Sequence, residues 1–369
     1  MSTISWTEDN TSRTARWHSE SAASSPESIV VADDRTTADA ACRMAGAGTG
    51  LLWRGDFHNA RQLLRAMGRR VERKLPTSDD PAESFRRYRA SRRRRAQILG
   101  KLLVLLEEDY SLALRRAPDV RRACIEAYGA PQGHMVVALS ELLGVIGAAQ
   151  WREKGVYVPA LGDHIHPHYS VFSPVRGEYI DLVAGAPLPA RADIAYDLGT
   201  GTGVLAAVLA RRGCTRITAT DNNVRALTCA RDNLDRIGLS SVAVRGPALF
   251  PDGKADLVVC NPPWLPGVPT SALETGVYDE NSSMLHAFLT GLRAHLRPGR
   301  EGWLILSDLP EHLGLRTRDE LLDRVTAADL RVIARLDTRP THRRAHDPAS
   351  PLHTARAAEV TSLYRLAPR

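Results

Sequence analysis

The sequence predicts an α/β protein in which a Rossmann-like sheet of seven strands follows an all-helical domain. Short apolar runs alternate with helical stretches from residue 193 onward, and a glycine-rich segment opens the first of these helices. Alternation of this kind produces a parallel sheet that helices cover on both faces. The predicted organisation is a disordered or loosely packed tail at 1–45, a helical domain at 46–153 and the α/β domain at 154–369.

Composition argues against several classes of protein. The 43% hydrophobic content suffices for a sizeable core in 369 residues, and no apolar run reaches membrane-spanning length. The N-terminal region is polar and lacks the apolar segment of a secretory signal. The five cysteines form no Cys-x-x-Cys pair, which argues against a disulfide scaffold or a zinc ribbon. We therefore expect a cytoplasmic protein without a membrane partner, and the sequence leaves its oligomeric state open.

The helical domain is predicted from apolar residues that recur at helical spacing. The stretches concerned are 49–76, 82–116, 121–128 and 135–148. The second stretch holds a dense arginine cluster, formed by Arg86, Arg87, Arg89 and Arg92 to Arg95. The cluster suits an acidic partner such as a nucleic acid, but it also suits the solvated face of a helix. Few aromatic residues interleave with the arginines for base stacking, so the solvated face is favoured.

Three histidines alternate within residues 154–183, a region whose apolar pattern is typical of strands. In an extended chain, His164, His166 and His168 would project to one face. A metal site is one interpretation, but no carboxylate or cysteine completes it nearby, and Pro167 disturbs the pleat. A polar strand face or a pocket rim is favoured, and no metal is expected.

The α/β domain shows a regular order of strands and helices. The predicted strands are 193–198, 216–220, 241–245, 255–260, 301–307, 330–336 and 359–366. The predicted helices are 203–212, 223–237, 281–296 and 317–328. An irregular segment, 337–358, joins the last two strands in place of a clear helix.

Two motifs in this domain carry the chemistry. The first, Asp197-Leu198-Gly199-Thr200-Gly201-Thr202-Gly203, follows a strand and opens a helix, which is the context of a nucleotide-binding loop. The next strand ends in Asp221, where an acidic residue can bind ribose hydroxyls. The second motif, Asn261-Pro262-Pro263-Trp264, ends a later apolar strand. Ligands of open parallel sheets lie beyond the carboxyl ends of the strands, so both motifs are expected to face one crevice.

The second motif suits a planar nitrogen. The side-chain oxygen of Asn261 and the backbone carbonyl of Pro262 can each accept one N–H of an amide, an exocyclic amine or a guanidinium. Pro263 fixes φ and keeps that carbonyl directed outward, and Trp264 can stack on the flat group. Asn261, Pro262 and Trp264 are therefore the candidate catalytic residues, with the Asn261 side chain expected in the pocket beside Gly201.

From Val156 to the C-terminus, these residues resemble the class I S-adenosylmethionine-dependent methyltransferases. The motif Asn261-Pro262-Pro263-Trp264 is similar to that of protein glutamine, adenine N6- and ribosomal guanine N2-methyltransferases. The resemblance implies S-adenosyl-L-methionine as cofactor and an antiparallel last strand. The segment around Pro174, Arg176 and Glu178 resembles the one that lines the cofactor pocket in glutamine methyltransferases. Arg176 and Glu178 are thus candidate pocket residues, with a surface ion pair as the alternative.

The candidate cofactor residues follow from the two motifs and from that resemblance. They are Asp197, Gly199, Thr200, Gly201, Gly203, Asp221, Asn222, Leu249, Phe250 and Asn261. One departure from the family concerns the stretch 246–250, Gly-Pro-Ala-Leu-Phe, which lacks the acid that commonly binds the adenine amino group. Adenine contacts are therefore expected from backbone groups and from the apolar side chains of Leu249 and Phe250.

Acidic residues near the second motif suggest a substrate pocket. Glu274, Asp279 and Glu280 surround Tyr278, and Asp308 follows the fifth strand of the domain, with Glu311 close behind. A solvated acidic loop is the equal alternative. The candidate substrate residues are Arg176, Glu178, Pro263, Trp264, Glu274, Tyr278, Asp279 and Asp308.

The predicted function is N-methylation of a planar side-chain nitrogen, an arginine guanidinium or a glutamine amide, in a small molecule or a protein. Acids at the mouth of the site suit a polyanion poorly, so nucleic acid is the less favoured partner. Methylation of an exocyclic amine in RNA or DNA stays open as an alternative, as does a non-catalytic scaffold with a methyltransferase-like fold.

Overall fold

The computed structural model describes residues 2–72, 78, 80–341 and 351–369. Within these ranges, no helix is both long enough and apolar enough to cross a lipid bilayer. The chain divides into two compact units. The first comprises Met1–Ser78, Arg86–Gln150 and Thr270–Ala272, and the second comprises Asp79–Phe85, Trp151–Pro269 and Leu273–Arg369.

Six strands form one sheet in the first unit. They are β1 (Thr3–Glu8), β2 (Thr11–Trp17), β3 (Ser28–Ala32), β4 (Thr49–Trp53), β5 (Leu102–Leu106) and β6 (Met135–Ala138). The helices that begin before residue 150 are α1 (Ala38–Gly46), α2 (Phe57–Val71), α3 (Pro81–Leu99), α4 (Arg121–Tyr128) and α5 (Leu139–Lys154). The strand order is β1-β2-β6-β5-β4-β3, with parallel and antiparallel neighbours.

The prediction of a disordered or loosely packed tail at 1–45 is wrong. Strands β1 and β2 form a hairpin, and the two residues that join them, Asp9 and Asn10, have φ of +51° and +58°. Two positive φ values in a two-residue loop match the twist of paired strands. Ile4 and Trp6 alternate with polar residues and are buried. The alternation and the Asp-Asn turn were the sequence signals that the prediction overlooked.

The prediction of an all-helical domain at 46–153 is also wrong, because β4, β5 and β6 lie within it. Strand β5 is the run Leu-Leu-Val-Leu-Leu, buried along its whole length. Periodicity cannot distinguish so short an apolar run from a segment of buried helix, since a strand covered on both faces does not alternate. The arginine cluster does lie on a helix, α3, and Arg92, Arg93 and Arg94 are exposed there.

The second unit contains the remaining elements. Its strands are β7 (Val156–Val158), β8 (Asp163–Ile165), β9 (Ile194–Leu198), β10 (Arg216–Thr220), β11 (Ala243–Arg245), β12 (Ala255–Cys260), β13 (Leu265–Pro266), β14 (Tyr278–Asp279), β15 (Leu296–Ser307), β16 (Leu330–Thr338) and β17 (Thr361–Pro368). Its helices are α6 (Glu178–Gly185), α7 (Val204–Arg211), α8 (Val224–Arg236), α9 (Ser283–His295), α10 (Leu309–His312), α11 (Arg318–Ala327) and α12 (His353–Ala358). Two short 3-10 helices, Ala272–Gly276 and Glu280–Ser282, precede α9.

Seven of these strands form the central sheet, in the order β11-β10-β9-β12-β15-β17-β16. Strand β17 is antiparallel to both of its neighbours, and the other neighbouring pairs are parallel. The predicted seven-stranded sheet and its antiparallel last strand are thereby confirmed. The segment 337–358 was predicted to be irregular, and residues 342–350 of it lie outside the described part of the chain.

Helices cover both faces of this sheet. On one face, α6 and α7 and the C-terminal part of α8 pack against alternate residues of the strands, with Trp303 and Leu363 fully buried. On the other face, α9 and α11 pack against the intervening residues, with Phe288 and Leu304 in the core. The carboxyl ends of the parallel strands are left to loops, and the two sequence motifs lie in those loops.

Candidate active site

Three neighbouring parallel strands end at the same level of the sheet. In the register of the sheet, the last residue of β9 lies opposite the last residues of β10 and β12. The residues that follow, Gly199, Asp221 and Asn261, therefore emerge side by side at one edge, here called the carboxyl edge. Open parallel sheets bind their ligands at such an edge. The glycine loop and the Asn-Pro-Pro-Trp segment thus share one location.

Left-handed glycines shape the loop between β9 and α7. The φ angles are +70° at Gly199, +54° at Gly201 and +82° at Gly203, which L side chains rarely adopt. A Cβ atom on Gly203 would lie 3.2 Å from the Cα atom of Ala230, because α8 passes close by. A Cβ atom on Gly201 would meet only a carbonyl oxygen at 4.0 Å. The loop therefore has open space beside Gly201, next to the start of α7, where a ligand can approach backbone N–H groups.

Asp197 holds the loop in this conformation. The residue is 1% exposed, and its Oδ2 atom accepts hydrogen bonds from the Thr200 hydroxyl at 2.6 Å and the Ala206 backbone N–H at 3.0 Å. Burial raises the pKa of Asp197 to about 6, although both hydrogen bonds favour the charged form. Asp197 joins the end of β9 to the first turn of α7, so its contacts are those of a positioning residue.

Asp221 connects the end of β10 to the glycine loop. Its Oδ2 atom accepts a hydrogen bond from the Gly201 N–H at 3.0 Å, and its Oδ1 atom accepts one from the Asn223 N–H at 2.8 Å. Burial raises the pKa of Asp221, and the backbone hydrogen bonds oppose that rise. Each carboxylate oxygen keeps a further lone pair, which is what an approaching hydroxyl needs. Asn222 follows it and is exposed.

The two apolar residues proposed for adenine have different surroundings. The carbonyl of Leu249 accepts a hydrogen bond from the Thr220 hydroxyl at 2.5 Å, which holds this segment beside the end of β10. The ring of Phe250 stacks on His295 at 4.2 Å between centroids and on Phe288, both in α9. Phe250 therefore packs against the C-terminal half of α9, and Leu249 is the better placed of the two for a ligand at the carboxyl edge.

The Asn-Pro-Pro-Trp segment is closed by a hydrogen bond within itself. The Trp264 indole N–H donates to Asn261 Oδ1 at 2.9 Å. Pro262 is buried, whereas Asn261, Pro263 and Trp264 are half-buried. The indole fixes which atom of the Asn261 amide is the oxygen, since only an acceptor can face an N–H. One lone pair of Oδ1 stays available for a second donor.

Arg176 lies over the Trp264 ring and connects two buried carboxylates. Its guanidinium carbon is 5.1 Å from the ring centroid, within the range of a cation–π contact. Its Nε–H donates to Glu178 at 2.7 Å and its Nη2 to Glu359 at 3.1 Å. Glu359 also accepts the Ser307 hydroxyl at 2.6 Å. The alternative of a surface ion pair is wrong, because Glu178 and Glu359 are 5% and 2% exposed.

Met284, which belongs to neither sequence motif, lies beside the glycine loop. A Cβ atom on Gly199 would be 2.3 Å from Met284 Cε, so the Met284 side chain covers that glycine. Asp279 fixes the start of α9, because its carboxylate accepts the Ser283 hydroxyl at 2.5 Å and the Met284 N–H at 2.7 Å. Asp279, predicted to bind substrate, thus serves the helix start. A lone methionine after a loop gives no sequence signal for such a contact.

The other predicted substrate residues are also engaged within the protein. Tyr278 is 7% exposed and pairs with Leu265 in a short parallel ladder. The Glu274 carbonyl accepts the Val277 N–H at 2.9 Å. Asp308 accepts the Val360 N–H at 2.7 Å and lies 3.8 Å from Arg318.

Glu311, the other acid noted after the fifth strand, is paired as well. Its carboxylate accepts the Arg318 Nε–H at 2.9 Å and lies 2.9 Å from Arg318 Nη2. Arginines therefore neutralise this part of the expected acidic pocket.

The three histidines have separate protein partners. His166 Nδ1 lies 2.6 Å from the Arg152 carbonyl, so this nitrogen carries the proton and donates. His168 is 8% exposed, and its Nε2 atom is 3.0 Å from Asp232. His164 is exposed and contacts the Tyr157 ring. Across the described ranges, no group of three histidine, cysteine or acidic residues is arranged to hold a metal ion.

The residues around these motifs are similar to known proteins. Residues 182–317 match the family model described as the methyltransferase small domain. The chain is 35% identical over 154 residues to a release factor glutamine methyltransferase of Mycobacterium leprae, covering 37% of this chain and 53% of that protein. It is 32% identical over 192 residues to a ribosomal protein L11 methyltransferase of Sorangium cellulosum, covering 52% and 49%.

The name of a third relative gives a nucleic acid as its substrate. It is a tRNA (adenine-N6)-methyltransferase of Cytophaga hutchinsonii, 35% identical over 86 residues, which cover 22% of this chain and 34% of the relative. The chain thus spans about half or less of the length of these relatives. The α/β unit has the class I fold of S-adenosylmethionine-dependent methyltransferases, as the sequence resemblance implied.

Proposed function

Because residues 182–317 carry a methyltransferase small domain, we propose that this chain is an S-adenosylmethionine-dependent N-methyltransferase whose acceptor is a side-chain amide of the glutamine type in a protein. The observation that carries the proposal is the position of Asn261. Its oxygen is oriented by Trp264, and the residue follows its strand at the same level as Gly199 and Asp221. An acceptor nitrogen held there lies beside the loop that suits the methyl donor.

The residues at the carboxyl edge suit that cofactor. The open space beside Gly201 and the start of α7 would receive the methionine end, with backbone N–H groups near its carboxylate. Asp221 would accept the ribose hydroxyls, and Leu249 with Asn222 would border the adenine. Bound there, S-adenosyl-L-methionine supplies an activated methyl group that needs only an aligned nucleophile.

The protein's own contribution is alignment of the acceptor. Asn261 Oδ1 and the Pro262 carbonyl would each accept one N–H of the amide, which fixes the nitrogen and directs its lone pair toward the methyl group. Alignment of this kind can supply several kcal/mol of the activation barrier. As the nitrogen forms its bond to the methyl carbon, the bond between that carbon and the donor sulfur would break, with S-adenosylhomocysteine as the leaving group. The positive charge on the nitrogen would make one of its protons acidic, and that proton would leave to water.

A neutral amide is favoured over a guanidinium because of Arg176. Its guanidinium already occupies the cation–π position on the Trp264 ring, 5.1 Å from the centroid. A cationic acceptor would therefore gain little from that ring. Arginines likewise neutralise Asp308 and Glu311, two of the acids that had suggested a cationic substrate. The glutamine methyltransferase among the relatives supports the same choice.

The five cysteines are free, which supports a cytoplasmic site of action.

The test is a methyl-transfer assay with radiolabelled S-adenosylmethionine and three acceptor classes: glutamine-containing proteins from translation extracts, guanidino compounds, and total RNA. We expect protein labelling that mass spectrometry assigns to a glutamine amide. Asn261→Ala should lower kcat by about a hundredfold. Labelling confined to guanidino compounds or to RNA would refute the proposal.

Base methylation in RNA is the second candidate, and the tRNA methyltransferase among the relatives favours it. Binding to phosphate backbones weakens steeply with salt, because counterions are released on association. RNA binding that falls by several orders of magnitude between 50 and 200 mM salt, together with labelled adenine, would replace the glutamine proposal. A chain that binds cofactor but labels no acceptor class would instead be a scaffold.

A further inference from the structure

A groove of about 670 Å³ lies between α9 and α11 on one face of the central sheet. Its floor is aliphatic, with Leu289 and Ala328 among the lining residues, and its rim is basic. Lys254, which precedes β12, and Arg324 of α11 are both exposed at that rim. Nothing in the proposed methyl transfer uses these side chains.

The charge of the groove is positive. Arg293 is paired with Asp329 at 2.6 Å, so these two cancel, and Lys254 and Arg324 leave the lining residues with an excess of two positive charges. Two cations about an aliphatic floor attract a ligand that carries carboxylates between apolar groups.

His286 also lines the groove, and its pKa is lowered there. Burial lowers the pKa of His286, the charge of Arg324 lowers it further, and Arg316 acts in the same direction. Asp279 raises that pKa in part. An anion bound in the groove would favour the protonated ring, so it would raise the pKa of His286 and bind more tightly as the pH falls.

The groove begins close to the active site. His286 is two residues after Met284, whose side chain covers Gly199. From His286 the groove extends along α9 to Arg293. A helix rises 1.5 Å per residue, so His286 and Arg293 are about 10 Å apart along the axis. Three or four residues of an extended chain span that length.

We propose that this groove binds an acidic, partly aliphatic segment of the protein that receives the methyl group. The proposal rests on the proposed function, because it assigns a second contact to the same protein substrate. An RNA is the less suitable occupant. Within the described residues, no tryptophan, tyrosine or phenylalanine lines the groove to stack bases.

The probe is a fluorescein-labelled decapeptide of alternating glutamate and leucine, added to the full chain and followed by anisotropy at low salt. The double variant Lys254→Ala/Arg324→Ala should bind it about tenfold more weakly, since each exposed charge pair contributes up to about 1 kcal/mol. The matched control is Arg236→Ala, which removes an exposed charge from α8 on the opposite face and should leave binding unchanged. Equal weakening by both variants would overturn the proposal.

A labelled decanucleotide RNA forms the competing arm. If the RNA binds, the peptide does not, and the double variant abolishes RNA binding, the groove serves nucleic acid and the proposal fails. The peptide should also raise the pKa of His286, measured by NMR titration of a histidine-labelled chain with His286→Gln as the assignment control. An unchanged pKa at saturating peptide would place the peptide elsewhere and overturn the proposal.

These measurements need no methyl transfer, so they separate the two proposals. Glutamine labelling that proceeds equally well in Lys254→Ala/Arg324→Ala, with peptide binding unaffected, would sink the groove proposal and leave the function intact. Peptide binding that depends on Lys254 and Arg324, in a chain that labels only guanidino compounds, would sink the proposed acceptor and leave the groove as a peptide site.

Discussion

The Trp264 indole N–H donates a hydrogen bond to Asn261 Oδ1 at 2.9 Å, so the aromatic residue of the motif orients its amide. The sequence predicts that Trp264 stacks on the substrate. The structure gives it a second role, because a carboxamide free to rotate could present its NH2 group to the acceptor. Arg176 lies over the same ring at 5.1 Å and connects it to Glu178 and Glu359.

Replacing Trp264 by phenylalanine should separate orientation from stacking. Trp264→Phe keeps an aromatic face for Arg176 but removes the N–H donor. We expect kcat for the acceptor to fall about tenfold, which corresponds to about 1.4 kcal/mol and to the loss of one hydrogen bond. Cofactor affinity, measured by calorimetry, should stay constant. Trp151→Phe, at a half-exposed tryptophan, is the control and should behave like the wild type. An unaltered kcat in Trp264→Phe would show that the indole N–H does not orient Asn261.

The glycine loop permits a prediction that separates backbone strain from close packing. Gly203 and Gly213 have φ of +82° and +99°, so alanine at either should destabilise the fold by about 1–2 kcal/mol. At Gly213 a Cβ atom meets nothing within 4 Å, whereas at Gly203 it meets the backbone of Ala230 at 3.2 Å. Gly203→Ala should therefore cost about 1–3 kcal/mol more than Gly213→Ala in urea unfolding. Equal losses of stability in the two variants would mean that α8 moves away from the new Cβ atom without an energetic penalty.

Much of the second unit was predictable because its sequence is locally consistent. Strands β9 and β12 of the central sheet are short apolar runs, and β9 leads directly into the glycine loop. The predicted strand 255–260 coincides with β12, and the predicted helix 203–212 differs from α7 by one residue at each end. The register that aligns Gly199 with Asn261 follows from the parallel order once the strands are known.

The rest depended on contacts that no local pattern encodes. Glu359 accepts a hydrogen bond from Arg176, which lies 183 positions earlier in the chain. Met284 follows the Asn-Pro-Pro-Trp segment in sequence, but its side chain covers Gly199, which precedes that segment.

In the first unit, the buried run that forms β5 carries no alternation because both of its faces are covered. An alternating pattern arises only when one face of a strand is buried and the other is exposed. A strand that is buried on both faces therefore resembles a buried helix in sequence.

Asp197 gives a pH dependence with a definite sign. Burial raises its pKa to about 6, above the value of about 3.9 in an unfolded chain. Between these pH values the folded chain holds a proton that the unfolded chain has released. Its contribution to the free energy of unfolding therefore falls as the pH rises, by on the order of 3 kcal/mol between pH 4 and pH 7.

Asp197→Asn should remove that loss, because the amide is neutral throughout. In urea unfolding at pH 4 and pH 7.5, the variant should gain stability relative to the wild type at the higher pH only. Asp235→Asn, at an exposed position of α8, is the control and should show no such difference. A constant difference between Asp197→Asn and the wild type at both pH values would mean that the carboxyl titrates normally.

Replacement by methionine is expected to have opposite effects on stability at Arg316 and at Arg365. Arg365 donates Nε–H and Nη2–H to buried Glu301 at 3.0 and 2.8 Å. The same two nitrogens of Arg316 are buried without a hydrogen-bond partner among the described residues, and Glu311, 4.0 Å away, is held by Arg318.

Burial accordingly lowers the pKa of Arg316. Methionine matches the length and volume of the buried arginine stem without its charge. Arg316→Met should therefore be neutral or stabilising by about 1 kcal/mol, because it removes a desolvated charge and its unmade hydrogen bonds. Arg365→Met should destabilise by about 3–5 kcal/mol, since it leaves Glu301 buried without its cation. Urea unfolding measures both, and a loss in Arg316→Met as large as that in Arg365→Met would mean that Arg316 is paired through ordered water.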